Sequence, residues 1–119
     1  QHDKQKIKNA IEKEFKYDLS RKIAQIRKRY TFDVICQGSV PEAIIAFLES
    51  TDLESAIRLG ISLGGDADTI GCMAGGIAQA YYEEIPKEIN DKVEHLLTPE
   101  LLEIVREFNK TFRVNYAIV

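Results

Sequence analysis

Residues 63 to 82 constrain the fold of this chain more than any other stretch. Leu63-Gly64-Gly65-Asp66-Ala67-Asp68-Thr69-Ile70-Gly71 is followed by a run in which Ala74, Gly75, Gly76, Ala78 and Ala80 recur at helical spacing. A glycine inside a helix costs roughly 1 kcal/mol against alanine. Several of them in one helical segment need a reason, and close backbone approach by neighbouring helices is the usual one. The segment from about Asp68 to Tyr82 is therefore expected to be a central, buried helix. Gly64-Gly65 is expected to end the helix before it, because glycine accepts the left-handed conformation of a C-cap.

The rest of the chain reads as helical too. Ile7, Ile11 and Phe15 recur every fourth residue between Asp3 and Lys16. Asp18 can cap a second segment with Leu19, Ile23, Ile26 and Tyr30 as its apolar face. Thr31 to Gly38 is β-branched and apolar without helical period, a loop or short extended piece. Ser39, Pro41 and Glu42 form a capping-box start for a helix whose apolar face is Ala43, Ile44, Phe47 and Leu48. Asp52 caps the next helix. Pro86 opens a short one, and Thr98-Pro99-Glu100 opens a last one with Leu101, Leu102, Ile104, Val105 and Phe108 expected to be buried. Arg113 to Val119 reads as extended or frayed. No strand ladder, repeat, linker or low-complexity tract is visible. The expectation is one all-α segment over 1–119.

The acidic turn carries the chemistry. Asp66, Asp68 and Thr69 place two carboxylates and a hydroxyl within four residues, at the start of a helix where free N–H groups and the positive end of the dipole lie. Either aspartate alone would serve as an N-cap, and that reading weighs about as much as a ligand reading. The excess of two carboxylates plus a threonine favours a hard divalent cation, Mg²⁺ or Mn²⁺ before Zn²⁺. Gly64, Gly65 and Gly71 leave room for a ligand to approach the backbone. A phosphatase-like Asp-x-Asp-x-Thr motif fits poorly, since no apolar strand precedes it and Thr69 follows Asp68 directly. A calcium loop lacks its alternating oxygens and distal glutamate.

With 119 residues and a net charge of -3, the chain gives no reason to expect nucleic acid or a membrane surface as partner. Its N-terminal basic residues, interleaved with Glu and apolar positions, read as a solvated helix face. Cys36 and Cys72 lack metal-ligand spacing and are expected to be buried free thiols in a reducing, cytoplasmic setting. His2 and His95 read as surface residues. Tyr81 and Tyr82 read as core before adenine-stacking groups. A first residue that is Gln rather than Met suggests a processed product or a piece of a longer protein.

From Gln37 to Pro86 the ordered series Ser39-Val40-Pro41-Glu42-Ala43, Ala46-Phe47-Leu48, Leu63 to Ile70, Ala74-Gly75-Gly76-Ile77-Ala78, Tyr81-Tyr82 and Ile85-Pro86 resembles the C-terminal part of the ADP-ribosylglycohydrolase family. The resemblance implies an all-α domain with a dinuclear Mg²⁺ site that hydrolyses the glycosidic bond between ADP-ribose and an acceptor, commonly an arginine or serine. Asp66, Asp68 and Thr69 match the family's C-terminal metal ligands. The resemblance places Ser39 at the edge of the family's site, where its role as an N-cap is the favoured reading, with Gln37 and Gly38 before it as candidates to line the ligand cleft and Gly65 as a substrate-binding candidate. The family's remaining ligands come from a Thr-Asp-Asp motif near its N-terminal side, which this chain lacks; Thr51-Asp52-Leu53 is the nearest match. The implied partners are an ADP-ribosylated substrate and either a missing N-terminal half or a second chain. The alternative is a non-catalytic ADP-ribose-binding or structural member of the same fold.

Overall fold

A computed structural model describes residues 3–118, and the chain divides into two compact units, Gln1–Tyr82 and Glu83–Val119. Among the described residues there are helices and no strands, so the all-α class holds. None of these helices is long and apolar enough to cross a membrane. His2 lies outside the described residues; His95 is exposed on its helix.

In the first unit, α1 (Lys4–Phe15) is capped by Asp3, whose carboxylate accepts from Gln5 N. The predicted second helix shrinks to one turn, α2 (Ile23–Ile26). Asp18 does not cap it; its carboxylate accepts from the backbone and hydroxyl of Ser20, an Asx-type turn that competes with helix. Leu19, Ile23 and Ile26 are nevertheless buried, as their spacing suggests.

α3 (Cys36–Glu49) begins three residues before Ser39. The Asp33 carboxylate takes the Ile35 N–H, and the amides of Gly38 and Ser39 both reach the Ile35 carbonyl, so the first turn closes upstream of the expected cap. Ser39 lies inside the helix, with its hydroxyl bonded 2.9 Å from the Ile35 carbonyl. Glu42 closes no capping box: it is buried and accepts from Arg21 Nη1 at 2.6 Å. From Pro41 to Phe47 every residue of α3 is buried. This helix, rather than the small-residue one, is the central element.

α4 (Leu53–Ile61) is capped by Asp52 in a reciprocal box with Ser55. The Ser55 backbone N–H and hydroxyl hold the Asp52 carboxyl below the usual carboxylate range. A depressed folded value stabilises above the unfolded pKa of about 4 and is lost as pH falls through the folded value. Asp52→Asn is expected to unfold like the native chain near pH 7, since Asn caps as well as Asp, and to show a flatter fall in melting temperature below about pH 4. Parallel acid curves for the two proteins would contradict this.

α5 (Ala67–Tyr82) buries only one face, through Ile70, Gly71, Ala74, Gly75 and Ala78. A Cβ on Gly71 would sit 3.2 Å from Ile61, and one on Gly75 would sit 3.1 Å from Ile57. Those glycines let α4 and α5 approach closely, as expected. Gly76 has open space around it, and Cys72 and Ala80 beside it on the helix are exposed. The central-and-buried expectation for α5 is therefore corrected to one-sided packing. Both cysteines are free but exposed, contrary to expectation.

Lys4 departs from the solvated basic face. Its ammonium donates to the Phe47 carbonyl at 2.8 Å, the Ser50 carbonyl at 2.6 Å and the Tyr82 hydroxyl at 2.7 Å. It stands 4.7 Å from the Phe47 ring centroid and 5.1 Å from that of Tyr82. Cation–π attraction and C-terminal carbonyls thus fasten α1 to the end of α3. Tyr81 and Tyr82 pack edge-on against Phe47, a core role.

The second unit holds α6 (Lys87–Leu96) and α7 (Pro99–Thr111), the latter capped by Thr98 with Pro99 in its first turn. Its apolar stripe is not buried: Leu101, Ile104 and Phe108 are about half exposed or more, and Leu102 and Val105 are intermediate. Two short helices cannot enclose both apolar faces. The tail is not frayed through its described part. Val114 N bonds the Asn109 carbonyl at 2.8 Å, and the buried Asn109 amide donates to the Ile118 carbonyl.

Candidate metal-binding turn

After α4 the chain reverses through Leu63, Gly64 and Gly65. The Leu63 and Gly64 amides bond back to Gly60 and Ile61, and both glycines take positive φ, +76° and +63°. A side chain there would be strained. Gly65 is exposed, but other atoms stand close on the side a Cβ would take. A Cβ on it would lie 2.9 Å from Tyr30 Cε1, 3.2 Å from the Thr31 carbonyl oxygen and 3.3 Å from Phe32 Cα.

Asp66 occupies the position before α5, and its carbonyl accepts the Ile70 amide at 3.0 Å. Asp68 lies in the first turn, with its carboxylate bonded to the Thr69 N–H at 3.0 Å. The Asp68 carboxyl is held below the usual carboxylate range, first by a hydrogen bond from the Asp66 carboxyl, then by backbone N–H groups. The two acidic residues therefore stand two positions apart at the positive end of a 16-residue helix. Asp68 and Thr69 are exposed and Asp66 is half-buried.

Two carboxylates this close in sequence at one helix start form a hard oxygen donor set that suits Mg²⁺ or Mn²⁺. The Thr69 hydroxyl adds a neutral oxygen on the same turn. Among the described residues no group of three or more His, Cys, Asp or Glu side chains gathers around a metal-sized space. A six-coordinate Mg²⁺ would take its other ligands from water, substrate or residues outside this set.

The other sequence candidates scatter. Gly65 adjoins Asp66 but is capped by Tyr30 and the Thr31–Phe32 backbone. Gln37 is exposed in the first turn of α3. Ser39 is 6% exposed and its hydroxyl is spent on the Ile35 carbonyl, so it offers a ligand little surface. Gly38 serves a close approach by Asp33, whose carboxylate occupies the space that a Cβ would need. Reading the sequence misses Tyr30, which packs on the turn; the one signal for it is the demand of Gly65 for a close neighbour.

A family model described as ADP-ribosylglycohydrolase matches residues 3–117. The ADP-ribosylhydrolase ARH3 of Bos taurus is 41% identical over 69 residues, covering 47% of this chain and 19% of the relative. That of Homo sapiens is 39% identical over the same length and shares. The Danio rerio protein is 47% identical over 55 residues, 37% of this chain and 15% of the relative. The aligned part of the chain thus spans less than a fifth of these relatives. No solved structure gave a significant match.

Proposed function

Because the chain belongs to the ADP-ribosylglycohydrolase family, we propose that it supplies the C-terminal half of a Mg²⁺ site for hydrolysis of the glycosidic bond between ADP-ribose and an acceptor. The observation that carries this reading is the placement of Asp66, Asp68 and Thr69 together at the N-terminal end of α5, directly after the Gly64-Gly65 reversal. Asp66, Asp68 and Thr69 would hold the cation, which when bound supplies Lewis acidity toward ribose oxygens and a more acidic water. The chain's own contribution is electrostatic and positional. The two carboxylates collect positive charge where the α5 dipole already favours anions, so without a cation they add negative potential at the start of α5.

Cleavage at an anomeric carbon develops oxocarbenium character, which negative groups held nearby favour. Asp66 and Asp68 act as ligands in this scheme and not as proton donors. The remaining ligands and the acceptor contacts would come from other residues of the full protein or from a second chain. The exposed face of α5 is consistent with such a partner: apolar cavities of about 450 and 330 Å³ flank Gly76 and Ile77, between α5 and residues such as Phe47 and Ile44.

The test is release of ADP-ribose from an ADP-ribosylated peptide by the full-length protein. Release is expected with Mg²⁺, is lost with EDTA, and returns on adding Mg²⁺ or Mn²⁺. Release indifferent to EDTA would refute the metal role. Binding of ADP-ribose without any release would establish the non-catalytic alternative.

A further inference from the structure

Tyr30 stands where three parts of the first unit meet. Its amide bonds the Ile26 carbonyl at 2.9 Å, which fastens it to the end of α2. Its hydroxyl donates to the Gly38 carbonyl at 2.9 Å, in the first turn of α3. Its ring lies against the Gly65 backbone, one residue before Asp66. The same short segment holds the turn at a second point, since Arg27 Nη2 donates to the Ser62 hydroxyl at 2.6 Å.

The turn itself is poorly suited to holding a position alone. Gly64 and Gly65 are exposed, and a Cβ on Gly64 would meet nothing within 4 Å. Adjacent glycines carry the largest backbone entropy of any residues. A pair of carboxylates that must stay in register for a cation needs a rigid support, and such support commonly changes affinity 10–100-fold. The atoms nearest to where a Gly65 Cβ would stand belong to Tyr30 and the two residues after it. Burial, then the carboxylates of Glu42, Asp33 and Asp66, push the Tyr30 phenol up from its ordinary value.

We propose that Tyr30 is a positioning residue for the acidic turn, locking Gly65 and hence Asp66 and Asp68 to the first turn of α3. The consequence for cation affinity rests on the metal reading above; the consequence for the order of the turn does not.

The experiment compares Tyr30→Ala, Tyr30→Phe and Tyr82→Ala in the full-length protein. Tyr82 is the control, a tyrosine at the opposite end of α5 whose hydroxyl bonds Ser50. Amide hydrogen exchange over residues 64–70 and Mn²⁺ affinity by electron paramagnetic resonance are the readouts. Tyr30→Ala is expected to speed exchange there about 10-fold and to weaken Mn²⁺ binding about 10-fold, with Tyr82→Ala leaving both within about 2-fold. Tyr30→Phe keeps the ring on Gly65 and is expected to restore most of both. Should Tyr30→Ala not fold, Tyr30→Phe still decides: without the Gly38 bond it is expected to show about 3-fold faster exchange at 64–70 and no change in α4. Unchanged exchange at 64–70, or an equal rise in the Tyr82 control, overturns the proposal. Faster exchange in a protein that takes no Mn²⁺ even as wild type supports the positioning role and rejects the metal reading.

Discussion

Replacing Asp66 or Asp68 by alanine in the full-length protein is expected to lower Mg²⁺-dependent release of ADP-ribose by more than about 100-fold, with the helical content unchanged. Changing a residue that merely orients a metal ligand costs about 10–100-fold, so removing the ligand itself should cost more. The fold has little stake in either side chain. Asp68 is exposed, and its bonds are local, to Thr69 and Asp66. Asp66 contributes to α5 through its main-chain carbonyl, which any residue supplies. The asparagine variants separate ligand from cap: Asn satisfies a helix start as well as Asp but brings no charge to a divalent cation. Asp66→Asn and Asp68→Asn should therefore melt with the native protein and lose activity with the alanine variants. Thr69→Val should lose less, because the hydroxyl is neutral. Rates within about 3-fold of native for both aspartate variants would reduce the turn to a helix cap.

The largest loss of stability is expected from Phe47→Ala, about 3–5 kcal/mol, against a total of about 5–15 kcal/mol for a typical domain. Phe47 has no exposed surface. Its ring meets Tyr81 edge-on at 5.1 Å and Tyr82 at 6.4 Å. The Lys4 ammonium rests 4.7 Å from its centroid. Truncation removes the transfer energy of the ring, opens a cavity lined by aromatics, and takes away one face of the ammonium site. Phe47→Leu should cost less than half as much, because it keeps most of the apolar volume. Urea unfolding followed by circular dichroism measures both. A cost under about 1 kcal/mol for alanine would mean that Tyr81, Tyr82 and Lys4 close over the gap, and that α1 is held by other contacts.

The caps were legible because their determinants lie within a few residues. Asp52 and Thr98-Pro99 each satisfy N–H groups in their own first turn, and the helices they open stand where the pattern puts them. Gly64-Gly65 mark the reversal just after α4, whose C-cap is Ser62, for an equally local reason, their positive φ. The helix start at the acidic turn was legible on the same ground: Asp66 stands just before α5 and its carbonyl takes the Ile70 amide.

What failed to be legible depends on residues far apart in the chain. Ser39 and Glu42 look like a capping box, but Asp33 opens the helix earlier and Arg21 claims the glutamate. Small residues mark α5 as a helix that another approaches, and they do not say on how many sides. α4 fills the side with Gly71 and Gly75, whereas Gly76 and Cys72 face outward. The sequence by itself thus determined the helical class, the starts of α4 and α7 and the placing of both aspartates at one helix start, because backbone hydrogen bonds within one turn decide these. Only the tertiary structure decided that α3 is the buried centre, that Lys4 plugs its end and that Tyr30 lies under Gly65. Burial and close approach are set by whichever distant surfaces meet, and no period within one helix encodes its neighbour.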